Sequence, residues 1–128
     1  MSNHSQQHGA FSWFELLTTD TTAAKAFYSQ LFGWSMTDQP IQNMIYTVLS
    51  VGDQQVGGLA PIPSQSPGMP PNWGVYVTVD DVDASAKLAS ELGGKVLLEP
   101  RDIPDVGRFA LIQDPQGASL AIITYAQR

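Results

Sequence analysis

Residues 20–33, DTTAAKAFYSQLFG, and residues 81–94, DVDASAKLASELGG, read as two versions of one instruction. Each opens on an aspartate, whose side-chain oxygen can accept a first-turn N–H and so start a helix. In the first stretch, Ala24, Phe27, Tyr28 and Leu31 recur at helical spacing and line one face of a helix predicted over Ala23–Phe32. In the second, a helix is predicted over Ala84–Leu92, with Asp80, Asp81 and Asp83 set against the positive end of its dipole. Glycine closes both, at Gly33 and at Gly93-Gly94, where a left-handed residue ends a helix at little cost. The two stretches lie sixty-one residues apart, a spacing that also places Ala23 on Ala84, Ser29 on Ser90 and Leu31 on Leu92. The chain is therefore an internal repeat.

The segments around each helix repeat as well. Phe11–Leu17 (FSWFELL) reads as a strand before the first helix, and Trp34–Thr37, Met44–Val51 and Gln55–Ala60 as three strands after it, the last two joined by the turn at Gly52-Asp53. Trp73–Val79 precedes the second helix. Lys95–Leu98, Arg108–Gln113 and Ser119–Thr124 follow it, with Asp114-Pro115-Gln116-Gly117 as a turn. Between the halves, Pro61–Asn72 (PIPSQSPGMPPN) carries five prolines and reads as a linker. The expected organisation is a flexible tail over 1–10, then one domain over 11–128: module one at 11–60, the linker at 61–72 and module two at 73–126. Each module reads βαβββ. The expected class is α+β, two tandem modules forming a curved mixed sheet around a central cup with the helices outside.

Composition narrows the function. The chain has 128 residues, six Lys+Arg against twelve Asp+Glu, a formal charge of −6 and no cysteine. The acidic balance argues against nucleic-acid and anionic-membrane partners. The missing thiols exclude disulfides and thiolate chemistry. No apolar run approaches the roughly 18 residues of a membrane span, and residues 1–10 lack the pattern of an export signal, so a cytoplasmic location is expected. Only 14% of residues are charged, which points to a homodimer that hides part of its surface. No histidine lies in the expected ordered region to activate a serine or threonine, and Gly57-Gly58 lacks the lysine of a phosphate loop.

The modules, the stretch AFYSQLFGW after a capping aspartate, VTVDDVDASAKLASELGGKV and DPQGASLAII together resemble the vicinal oxygen chelate superfamily. This is the glyoxalase, bleomycin-resistance and extradiol-dioxygenase group. WFELLTTD, VGGLAPIP and PPNWGVYVTVDDVD are most similar to its glyoxalase-like bacterial branch. The resemblance implies metal ligands (His, Gln or Glu) at repeated strand positions. Those positions fall on Trp13 and Gly74 in the first strand of each module, on Ala121 in the last strand, and near Gly58 in its first-half counterpart. None of these offers an oxygen or imidazole to a divalent ion, so no metal or other cofactor is expected. The two histidines, His4 and His8, lie in the tail.

Strand alternation sorts the remaining side chains. Taking Trp13 as the cup face puts Phe11, Glu15 and Leu17 with it and turns Phe14 and Leu16 to the helix. In module two, Gly74, Tyr76 and Thr78 share the cup face, as do Phe109, Leu111, Gln113, Ala121 and Ile123, and Tyr46 is the counterpart of Phe109. The expected ligand-binding set is Trp13, Tyr46, Gly58, Gly74, Tyr76, Phe109, Leu111 and Ala121, an aromatic surface suited to a small, partly apolar organic molecule. The same aromatics also read as core filling. Glu15 is the one acid on this surface. It reads as a structural anchor bonded to Tyr46, Tyr76 or an arginine such as Arg108, or as a catalytic base or ligand contact, with its pKa raised by the apolar surroundings. Gly58, Gly74 and Ala121 are expected to leave room where a metal would sit. Three functions follow: a metal-independent small-molecule binder, a metal-dependent lyase or dioxygenase with a displaced ligand set, and a protein whose role is self-association.

Overall fold

The structure is a computed structural model that describes residues 6–41, 43–64 and 68–126. It has ten regular elements: β1 (Phe11–Thr18), α1 (Thr21–Phe32), β2 (Ser35–Ile41), β3 (Met44–Val51), β4 (Gln54–Pro61), β5 (Asn72–Thr78), α2 (Val82–Glu91), β6 (Lys95–Ile103), β7 (Gly107–Gln113) and β8 (Ser119–Tyr125). The fold is α+β, two βαβββ modules. The chain divides into two compact units. Among the described residues, one is Trp13–Gly74, and the other joins residues 6–12 to residues 75–126.

In unit one the strands run in the order β2-β3-β4-β1. β1 is parallel to β4, and the other pairs are antiparallel. The parallel pair requires a crossover, which α1 supplies. Asp20 caps α1, its Oδ1 accepting the Ala23 N–H at 3.0 Å. Gly33 ends it at φ 74°, a left-handed conformation that glycine reaches without a Cβ clash. Leu16, Leu49 and Leu59 form the core under the helix, with Ala24, Tyr28, Trp34, Met36 and Val56 packed against them. Leu16 thus faces α1, which leaves Trp13 and Glu15 on the opposite face of β1.

Unit two repeats the plan in the order β5-β8-β7-β6, with β5 parallel to β8. Asp81 caps α2 through Oδ1 and the Ala84 N–H at 3.1 Å. The core is Val79, Val82, Ala86, Ala110 and Ile122. Arg108 ties the helix to the strands. Its Nε and Nη2 donate to Asp83 at 2.8 and 3.0 Å, and its Nη1 donates to Asp102 at 3.1 Å. The bonds from Arg108 hold the Asp83 carboxyl below its ordinary value, and the two carboxylates raise the guanidinium's. Asp114 organises its turn by accepting the Gln116 and Ala118 N–H groups.

Four differences from the sequence reading have physical causes. β2 and β6 run past Thr37 and Leu98, through Pro40 and Pro100. Both are the outermost strands of their units, where a missing N–H costs no ladder bond, and β6 absorbs the irregularity with register shifts. The stretch expected as a flexible tail is anchored at its end. Gly9 N–H donates to Thr78 O at 2.7 Å, Thr78 N–H to Ala10 O at 2.9 Å, and Asp80 N–H to His8 Nδ1 at 3.0 Å; His4 lies outside the described residues. The Asp80 carboxylate is 3.8 Å from that same Nδ1. Finally, Arg108, one of the partners expected for Glu15, is held by Asp83 and Asp102.

Because α1 has no fully buried side chain whereas α2 buries Val82 and Ala86, its cap carries more of its stability. Asp20→Ala and Asp81→Ala should each cost about 1 kcal/mol in urea unfolding, with Asp20→Ala the larger; equal midpoints to wild type would show the caps to be idle. Asp83 has a depressed native pKa, so its pairing stabilises the fold above the ordinary value of 3.8 and is lost as pH falls through the native value. The stability gap between wild type and Arg108→Ala should therefore be full above about pH 4 and close on acidification below it; a gap that stays constant into acid would contradict the assignment.

Candidate functional site

On the face of β1 away from α1, Trp13 and Glu15 stand two residues apart. The ladder aligns Glu15 with Gly58 of β4, and Gly58 with Val48 of β3. Tyr46 lies two residues from Val48 on the same face, so its ring can reach across β4 to β1. It does so. Trp13 Nε1–H donates to Tyr46 Oη at 2.9 Å, and Tyr46 O–H donates to Glu15 Oε2 at 2.8 Å. The three side chains form one directed chain, from indole through phenol to carboxylate. Trp13 is buried, while Glu15 and Tyr46 are half-buried.

Gly58 makes this crossing possible. A Cβ built there would overlap the hydroxyl and ring carbons of Tyr46. The room expected at Gly58 is therefore taken, and the correction is specific: the glycine accommodates a neighbouring ring. At Gly74 the space is open, with only the Glu15 carbonyl oxygen within reach, at 4.0 Å.

The predicted residues of unit two come together on their own strands. Ala121 is flanked by Tyr76 and Leu111 in the ladder, and Phe109 pairs with Ile123. The Tyr76 and Phe109 rings are 6.3 Å apart and tilted by 44°. Ala110 and Ile122 belong to the core beneath α2, so Phe109, Leu111 and Ala121 occupy the opposite face.

Two features escaped the sequence reading. Ser12 Oγ and Tyr125 Oη are 2.7 Å apart, and burial raises the Tyr125 phenol's pKa while the Ser12 bond opposes the shift. Strand β8 was expected to stop at Thr124, which left Tyr125 outside it. On the helix side of unit one, Phe14, Tyr28, Phe32, Trp34 and Trp73 line a nearly wholly apolar cavity of about 480 Å³. Trp34 stacks on Tyr28 at 5.6 Å, and Trp73 meets Trp34 edge-on at 6.0 Å. Of these, the sequence reading placed only Tyr28 on the packed face of the helix, and Trp73 reaches the cluster only through the fold.

Among the described residues, no three of His, Cys, Asp and Glu come together. The four positions at which the resemblance implies metal ligands carry an indole that only donates, two glycines and a methyl group. That set does not fit a divalent ion, which needs oxygen, nitrogen or sulfur lone pairs.

Comparison with known proteins agrees with the fold. The chain is 40% identical over 119 residues to "Putative glyoxylase CFP32" of Mycobacterium bovis. It is 35% identical over 128 residues to "Anthracycline biosynthesis protein DnrV" of Streptomyces peucetius. These alignments cover 91% and 89% of this chain but 46% of each relative, so the chain spans about half the length of either. Methylmalonyl-CoA epimerase from Mycobacterium tuberculosis has the same fold at a TM-score of 0.69 and 18% identity, over 99% of this chain and 94% of that one. The sequence model of one family matches residues 10–122. The chain thus belongs to the Glyoxalase/Bleomycin resistance protein/Dioxygenase superfamily.

Proposed function

We propose that the protein binds a small, partly apolar organic molecule on the wall formed by Trp13, Glu15 and Tyr46, without a metal at the family's usual positions. The Trp13–Tyr46–Glu15 chain is the observation that carries this reading. It fixes two aromatic side chains and a carboxylate on one face of a sheet, the combination that favours flat molecules with a polar end. Glu15 is the group on this wall to which any proton transfer is assigned. Gly58 belongs to the wall as the residue under Tyr46, and Gly74 as the open position beside it. Tyr76, Phe109, Leu111 and Ala121 form a second, apolar contact surface in module two. The domain is read as one functional unit over 11–128 and as a homodimer. Low charge content and Phe27, Leu31 and Phe32, each more than half exposed on α1, support the pairing.

Titration with a panel of aromatic compounds, including an anthracycline for the class named in the Streptomyces relative, should give a saturable change in tryptophan fluorescence. Trp13→Phe should abolish most of that signal, and Glu15→Gln should weaken binding about tenfold or more, as for a lost bond to a charged group. Binding that is indifferent to both substitutions, or no binding by any compound, would sink the proposal. Light scattering should return twice the monomer mass, and Phe27→Lys with Leu31→Glu should return the monomer; a monomeric wild type would refute the dimer.

A further inference from the structure

We infer that module one has exchanged a metal seat for a seated phenol, and that Gly58 is the positioning residue that keeps the seat open. The functional meaning of this step rests on the binding role proposed above; the seat itself rests on geometry. The resemblance places the two ligand positions of module one at Trp13 and near Gly58. Those two positions converge on one atom, the Tyr46 hydroxyl oxygen. Trp13 reaches it with its indole N–H at 2.9 Å. Gly58 lies beneath it, and even a methyl group there would collide with the ring. Glu15 accepts the hydrogen bond from the Tyr46 O–H at 2.8 Å.

A divalent ion binds where lone pairs converge at about 2.0–2.6 Å. Here the point is a phenol oxygen ringed by an N–H that can only donate, a bare α-carbon and a single carboxylate, fewer lone-pair groups than the three or four side chains that hold such an ion. The exchange inverts the chemistry offered to a ligand. A metal seeks electron-rich oxygens. A carboxylate, with about four lone-pair sites, and a phenol oxygen seek N–H groups and cations, and the aromatic faces of Trp13 and Tyr46 favour a cation further. The charge of the unit agrees: Trp13–Gly74 holds four acids and one lysine. The ligand class this wall selects is an aromatic ammonium or amide donor rather than a molecule presenting paired oxygens.

Three measurements on the full chain test this. The first is a double-mutant cycle in melting temperature. Gly58→Ala should lower it by about 5 °C or more, because the added methyl overpacks against Tyr46. In the Tyr46→Ala background the same substitution should cost little. An equal cost in both backgrounds overturns the seat, and if Gly58→Ala alone does not fold, recovery in the double variant supports it. The second is the indole N–H resonance of Trp13 in the unliganded protein. It should move in Tyr46→Phe and move alike in Gly58→Ala; a resonance unmoved by either overturns the seat. The third adds Zn2+, Ni2+ or Mn2+ after chelator treatment and compares naphthylmethylammonium with naphthylacetate. No metal should raise the melting temperature, and the ammonium should bind at least tenfold more tightly, a preference lost in Glu15→Gln. A metal-dependent rise abolished by Glu15→Gln, or a preference for the carboxylate, overturns the inference. If no aromatic compound binds, the binding role fails while the first two measurements still judge the seat. If the seat fails while compounds bind, the binding role stands.

Discussion

Adjacent glycines on β4 set what β1 can carry. A Cβ at Gly57 would strike the carbonyl oxygen of Phe14, and a Cβ at Gly58 would strike the Tyr46 ring. The first absence lets the parallel strand come close on the helix side. The second lets a tyrosine from β3 lie across β4 and hydrogen-bond β1. Two neighbours with opposite outlooks therefore serve the two faces of one sheet, because successive positions of a strand point to opposite sides. Removing either side-chain-free position disturbs a different layer, the packing beneath α1 or the polar chain on the other face.

The modules repeat a topology while the side chains on the faces opposite their helices diverge. In each, a capped helix links a pair of parallel strands and covers an aliphatic core. On the opposite face, module one carries an indole, a phenol and a carboxylate joined by hydrogen bonds. Module two presents Tyr76, Phe109, Leu111 and Ala121, with the two rings near each other. Shared architecture with separate surface chemistry is the usual condition of a widely used scaffold, on which function follows the side chains and not the fold.

Much of this was legible in the chain. The aspartate-to-glycine helical stretches could be read directly because capping and termination are local acts, and alternation was enough to put Trp13 and Glu15 on one face and Leu16 on the other. The strand ends at Pro40 and Pro100 were not legible, since proline is excluded from central strands and tolerated at outer ones, and strand order is a tertiary fact. Whether Tyr46 bonds Glu15 was open for the same reason. Tyr46, Tyr76 and Arg108 were all chemically suitable. Asp83 and Asp102 engage Arg108 in unit two, and the pairing of β3 with β4 brings Tyr46 over Gly58. A glycine in a sequence reads as empty space. Only the neighbouring strand reveals whether the space is used.

The overlap at Gly58 also bears on what can replace that residue. A ligating histidine or glutamate cannot enter at position 58 while Tyr46 holds its place, because the first carbon of the side chain already collides. The tyrosine must turn away or shrink before a side chain can stand at position 58, and either change takes its hydroxyl from Trp13 and Glu15. Position 58 and residue 46 are therefore coupled, and a change at one is felt at the other. The hydrogen-bonded chain on this face of module one thus depends on one missing methyl group.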